Sequence, residues 1–507
     1  MNKNTAGIIL THAVFPTLPG ADSVAMAGGR ITAIGWEEEL TAAFDGASVF
    51  DLAGKTVLPG FIDAHTHLLQ TGLGLIGRRI DVYGMTREET LERLSEAARS
   101  RGEGEWIIAR GWDESHWEKR DYLTRADLDR VTGVHQLAAV RLDGHLLTLN
   151  TLALGRIPAS VDREGIDEVS GILIEKSAFS FLQALAPGDA VLVEAVQAAA
   201  ADANRMGITS VHVMVPREQM QPFMRARTGL PLRITLYPEI PALKALEDLG
   251  IDSGFGDHWL RIGGVKAFAD GSIGAGNAAV GEPYADSGGI GALNYSDAEL
   301  VSILERAENA GLQTAIHAIG DRAIGQVLAA HAAVKTTPAL CHRIEHFELA
   351  SDRDIETARN LGLAISMQPN FVSNWAGEGR MYEKRLGPIR MRRVDPHRLV
   401  FDSGSVLAFG SDSMPMSPLY GLQAAVNAPY ADERLEIDEA LSCYTVAGAR
   451  LSHEEDAKGT IAVGMLADLV VLDRDPRECS ERIDECRVEM TLVNGEIVYQ
   501  RGDDICE

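Results

Sequence analysis

The spacing of hydrophobic positions changes along the chain and predicts where one kind of structure gives way to another. Residues 7–10, 23–26, 30–34 and 48–52 are short apolar runs separated by turns, among them Gly28-Gly29. Runs of that length, closed by glycine or polar residues, predict strands. A matching group lies near the other end, at 467–472 and 490–499, where Asn494-Gly495 stands between alternating apolar residues and predicts a tight hairpin. The two ends together predict one small β-sandwich, built from residues 1–57 and 456–507, with the main domain inserted between them.

From 58 to 455 the pattern becomes β-branched runs alternating with helical stretches such as 297–310 and 323–333. That alternation predicts a parallel sheet in an α/β protein. The first strand ends at His65-Thr66-His67, and further candidates follow at 208–213, 232–237, 262–268, 314–317, 343–346, 364–367 and 406–412. Eight strands with intervening helices favour a TIM-like (β/α)8 barrel. A bare barrel needs about 250 residues, fewer than 58–455 provides, so a large insertion after the first strand is expected at about 70–205. Helices are predicted there at 87–100 and 191–206, beside an aromatic and charged segment at 111–117. An addition after a barrel strand is expected over the catalytic rim.

Composition narrows the class. Hydrophobic content of 46% and charged content of 24% are those of an ordinary globular protein. Apolar runs stop short of the roughly 18 residues a membrane span needs, and Met1-Asn2-Lys3-Asn4-Thr5 lacks a signal-peptide core. A cytoplasmic protein is expected. The five cysteines, Cys341, Cys443, Cys479, Cys486 and Cys506, form no Cys-x-x-Cys and predict free thiols. A net charge of -26 argues against nucleic acid or anionic membrane as a partner. A small-molecule substrate is expected, and a homodimer is left open.

Alternation along a strand puts His65 and His67 on one face, where two imidazoles can close on one ion. Lys266, His317, His346 and Asp412 each fall at the C-terminal end of a predicted strand, the end at which barrel enzymes carry their chemistry. Singly, each has a structural explanation: a hydrogen-bonded core histidine, a capping aspartate, a lysine paired with Asp270. Together, imidazole and carboxylate are a ligand set for zinc and, less selectively, for other divalent metals. An ammonium has no lone pair, so Lys266 among them calls for carboxylation by CO2 to N6-carboxylysine. In that arrangement His65, His67 and Asp412 hold one ion, His317 and His346 a second, and Lys266 links them. The alternative is a single ion with Lys266 uncharged or paired to a carboxylate. A metal so held acidifies water and polarises a carbonyl, and Asp412 is the natural general base, which makes hydrolysis the expected reaction.

The pieces around these residues are 59–67, Arg141-Leu142-Asp143-Gly144-His145 with Asn150, 265–272, 315–321, Arg343-Ile344-Glu345-His346, 367–369, 409–412 and 467–473. On them the chain resembles the amidohydrolase superfamily, and within it the amidohydrolase-3 group of N-substituted formamide deformylase-like proteins. The resemblance implies a metal-bearing barrel and a β-sandwich made from both termini. Val213 departs from it, since such proteins often carry an aspartate there. Substrate contacts are expected from His145, also a catalytic candidate in an Asp-Gly-His turn, and from Asp270, Asp321 and Arg322, with Trp112 and Trp375 as apolar walls. Cleavage of a carbon-nitrogen bond, as in an N-acyl or N-formyl amine, is the leading expectation. Ester or lactone hydrolysis uses the same parts. Deaminases of the superfamily usually carry a glutamate where this chain has Gly320, and a non-catalytic relative would have lost ligands that are all present here.

Overall fold

The computed structural model describes residues 7–114, 117–142 and 145–502. The first six residues, Ser115, His116, Asp143 and Gly144 of the expected Asp-Gly-His turn, and Cys506 lie outside the described residues. The chain divides into two compact units, residues 1–68 with 200–507, and residues 69–199.

The first unit holds two sheets in which every strand runs parallel to its neighbours. Their strands are β1 (Phe61–Thr66), β2 (Ile208–Val215), β3 (Arg233–Pro238), β4 (Leu260–Ile262), β5 (Gly264–Phe268), β6 (Gln313–Ala318), β7 (Arg343–His346), β8 (Ala364–Met367) and β9 (Leu407–Phe409). They form two all-parallel arcs, ordered β4-β3-β2-β1 and β5-β6-β7-β8-β9. A parallel bridge between Glu239 and Lys266 joins the arcs after β3. After β9 the backbone N–H of Asp412 donates to the His65 carbonyl of β1 at 2.8 Å.

Two expected strands come out differently. The run at 262–268 is broken at Gly263, whose amide donates to the Leu236 carbonyl and where an added Cβ would lie 2.4 Å from the Tyr237 ring. The run at 406–412 is strand only over Leu407–Phe409, because Asp412 and Ser413 adopt left-handed φ values of 49° and 62° and turn the chain away.

Two helices between the strands start at a reciprocal cap supplied by the sequence. Ser296 and Glu299 form a capping box at Asp297–Asn309, and Ser351 and Asp354 another at Asp352–Asn360. Near the termini, a four-stranded sheet from residues 8–51 and another from Thr56–Pro59 and the C-terminal strands share one buried cluster that includes Leu10, Val24, Val57, Leu469 and Leu492. Asn494 and Gly495 both have positive φ, 57° and 74°, as a type I′ hairpin turn requires.

The second unit holds a six-stranded sheet whose central strands are Leu146–Leu149 and Gln136–Arg141, with Trp106–Trp112 beside the latter. Along Gln136–Arg141, Leu137 and Ala139 enter one apolar cluster with Trp112, while Ala138 and Val140 enter another with Phe181. Both faces of this sheet are therefore covered. Among the described residues, no single helix is long and apolar enough to cross a membrane.

Candidate metal centre

Of the six residues expected to hold metal, His65, His67, His317 and His346 lie within one residue of the C-terminal ends of β1, β6 and β7, Lys266 lies in β5 two residues before its end, and Asp412 lies in the turn after β9. His65, His346 and Asp412 each present one ligand atom within 4.8 Å of the others. The His346 ring lies 4.9 Å from that of His65 and 4.5 Å from that of His317, centroid to centroid. His67 Nε2 is 3.0 Å from Asp412 Oδ1, and His65 Nε2 is 3.7 Å from the same oxygen, beyond hydrogen-bond reach. Lys266 Nζ is buried without a hydrogen-bond partner among the described residues and lies 4.9 Å from the Phe268 ring centroid.

Hydrogen bonds hold these side chains from behind. His65 Nδ1 lies 2.5 Å from Glu345 Oε2, His346 Nδ1 is 2.7 Å from Gln368 Oε1, and His317 Nε2 donates to the Gly271 carbonyl at 2.9 Å. The free ring nitrogens are thus Nε2 of His65 and His346 and Nδ1 of His317. Asp63 accepts from the amides of His65 and Ser411 and so ties β1 to the turn that carries Asp412. His346 and Asp412 have left-handed backbones, φ 71° and 49°. For residues other than glycine such conformations cost about 1–3 kcal/mol and tend to gather at functional sites.

The protonation states suit a cation. Burial, with the Lys266 charge next, lowers His65 to about 4 and His317 to about 3. Burial and the neighbouring His317 push His346 well below its ordinary value. Burial also works to raise the Asp412 carboxyl, but the hydrogen bond and charge of His67 outweigh it and hold the group below the usual carboxylate range. Burial brings Lys266 down to about 8 against the pull of Glu345 and Asp412. Neutral His65, His317 and His346, an ionised Asp412 and an orphaned buried amine fit a divalent cation.

The expected substrate contacts are placed less uniformly. Asp270 is buried, and its carboxylate accepts from the amides of Ala279, Ile319 and Gly320, so it braces the loops around β6. Its Oδ1 is also 3.5 Å from His317 Nε2. Asp321 accepts from the Gly281 amide and the Arg322 amide donates to Ala279, both at the start of the helix after β6. Trp375 touches Phe371, centroids 4.6 Å apart, and Phe371 stacks on His346. His145 belongs to the other unit, where it is exposed and lies 3.2 Å from Glu175. Trp112 also belongs there and is a core residue, 0% exposed and stacked on Trp117. It is buried in an apolar cluster on one face of that unit's sheet.

Four residues that contact the site carried no assigned role in the sequence: Asp63, Arg343, Glu345 and Gln368. The available signal was a charged or amide side chain in or beside an otherwise apolar strand, since such a group needs a buried partner.

The chain belongs to the amidohydrolase family, a family of hydrolases, whose profile matches residues 48–499. Among its relatives, YtcJ of Bacillus subtilis, named as an amidohydrolase, is 29% identical, with 95% of this chain and 96% of that protein covered. N-substituted formamide deformylase of Arthrobacter pascens is 28% identical over 95% of each chain. The crystal structure of a metal-dependent hydrolase from Pyrococcus furiosus matches with a TM-score of 0.77 and 28% identity, covering 93% of this chain and all of that one. These relationships give the two arcs their architecture, a TIM-barrel-like α/β fold.

Proposed function

We propose that the protein is a metal-dependent hydrolase that cleaves a carbon-nitrogen bond in a small non-peptide amide, an N-acyl or N-formyl amine. The observation that carries this reading is the convergence of His65, His346 and Asp412 within 4.8 Å beside a buried, partnerless Lys266. The name of the formamide deformylase relative supports the bond type. Zinc is the cation best suited to this imidazole and carboxylate set. His65, His67 and Asp412 would hold one ion and His317 and His346 a second. Lys266 would lie between them as a carbamate, formed when its neutral amine adds to CO2 and releases a proton. A cation held there lowers the pKa of a nearby water and polarises a carbonyl oxygen.

The chain's own residues do the rest. Asp412 takes the proton of the attacking water and passes it to the departing amine. Gln368 and Glu345 keep the imidazoles from turning. We read the two arcs, with β4 and β5 as one strand broken at Gly263, as one closed eight-stranded barrel and the terminal sheets as a sandwich beside it.

Ring-amine deamination is disfavoured at Gly320, where an added Cβ would lie 2.1 Å from the Ala279 carbonyl oxygen. No side chain fits there to carry the shuttling carboxylate.

The test is proton release from a panel of N-formyl amines, N-acyl amines and matched esters, using protein loaded with Zn2+ or Mn2+. Turnover of the amides that disappears in Asp412→Asn is expected. Metal-loaded protein that hydrolyses only the esters, or nothing, overturns the reading.

A further inference from the structure

Behind the histidines a row of fully buried polar side chains crosses the interior of the parallel strands. It begins at His212 on β2, passes through Arg343 and Glu345 on β7, and ends at His65 on β1. Arg343 Nη1 donates to His212 Nδ1 at 2.9 Å. Its Nε donates to Glu345 Oε1 at 2.5 Å, and its Nη2 donates to Glu345 Oε2 at 3.1 Å and to Ser366 Oγ at 3.2 Å. The same Nη2 reaches the Ala64 carbonyl, and the guanidinium carbon lies 5.0 Å from the Tyr237 ring centroid. One side chain is thereby fixed against five strands.

The donors and acceptors in this row can be assigned from either end. Guanidinium has only donors, so His212 Nδ1 must accept and its proton must sit on Nε2. Glu345 already takes two N–H groups from Arg343, in the forked geometry of a charge-assisted pair. As an acceptor it obliges His65 Nδ1 to donate, which leaves His65 Nε2 bare on the side of Asp412.

We infer that Glu345 is a positioning residue: anchored by Arg343, it fixes both the tautomer and the orientation of His65 so that Nε2 is presented to the cation. This rests on the metal-dependent reading above and deepens it. Carboxylates that orient a ligating imidazole typically contribute 10–100-fold in metal affinity. The role differs from that of an ordinary buried ion pair, because it predicts which nitrogen of one ring carries the proton before any metal is present.

The first measurement needs no variant. In metal-free full-length protein, ring 15N shifts of His65, assigned by loss of the signal in His65→Gln, are expected to show a proton on Nδ1 and none on Nε2. A proton on Nε2 overturns the inference. The second measurement uses Glu345→Gln, with Ser366→Ala as a milder perturbation of Arg343. Competition with a chelator is expected to show Zn2+ bound about 10–100-fold more weakly in Glu345→Gln and only a few-fold more weakly in Ser366→Ala. At saturating Zn2+, kcat in Glu345→Gln is expected to return to within a few-fold of wild type. Unchanged affinity in a folded Glu345→Gln protein, or kcat that stays lost at saturating metal, overturns the inference. Failure of the metal reading looks different, since wild-type protein would then take up no metal at all.

Discussion

The interior of the parallel strands and the sheet of residues 69–199 bury their side chains equally well and for opposite reasons. On the strand Gln136–Arg141 the residues Leu137 to Val140 are buried and apolar on both faces, and transfer out of water, worth about 25 cal/mol per Å2, accounts for these four. On β7 the sequence is Arg-Ile-Glu-His, buried throughout. Charges there cost free energy unless every one is met by a partner. Trp112 and Lys266 are 0% and 1% exposed. The first has its single N–H on the Ala139 carbonyl, and the second has no hydrogen-bond partner among the described residues. Equal burial therefore carries opposite meaning: the apolar side chain is explained by its own transfer, while burial of the lysine is opposed by the charge it carries.

If that contrast is sound, variants in the two regions should fail in different ways. Asp412→Asn keeps a residue that tolerates left-handed backbone. It is expected to lower kcat by about 10²–10⁴-fold with little change in melting temperature, measured on metal-loaded protein. Trp112→Ala should do the reverse, destabilising its unit by about 3–5 kcal/mol in denaturant titrations without loss of metal from the folded fraction.

Glu454 sharpens the comparison, as a buried charge away from the histidines. It meets Lys458 at 2.7 Å, Arg261 at 2.8 Å and His258 at 2.9 Å. Burial works to raise its carboxyl, but the charge and hydrogen bond of Lys458 outweigh it and hold the group at about 2. A depressed folded-state pKa gives stability that is present above the unfolded value near 4.5 and lost as pH falls toward 2. The loss should amount to about 3 kcal/mol across that window in wild type. It should be absent in Glu454→Gln, and chemical denaturation at several pH values measures it. The smallest effect is expected at Thr86, whose side chain accepts from the Glu89 amide to cap the helix Arg87–Arg99. Thr86→Ala should cost about 1 kcal/mol, read by the same denaturation.

The sequence and the structure part company where contacts become non-local. β1 and β2 were legible because runs that are mostly apolar or β-branched, with Asp63 and His65 in one and Ser210 and His212 in the other, declare a strand covered on both faces. The histidines stood out because each closes such a run. The break at Gly263 was not legible, since it depends on the Tyr237 ring and the Leu236 carbonyl of another strand. Arg343 and Glu345 could be quoted as a motif but not given a task, because their partners His212 and His65 lie 131 and 280 positions away from them, respectively. Asp270 was legible as a polar residue near the site, yet the three amides it gathers come from loops that only folding brings around it.

The tight approach of Gly320 to the Ala279 carbonyl bears on the history open to this chain. Drift at that codon can only damage the loop, so a lineage starting here cannot reach ring-amine chemistry by one replacement at that place. It would first have to rebuild the neighbouring backbone. The position works as a ratchet, keeping descendants to the reactions that the existing side chains already serve.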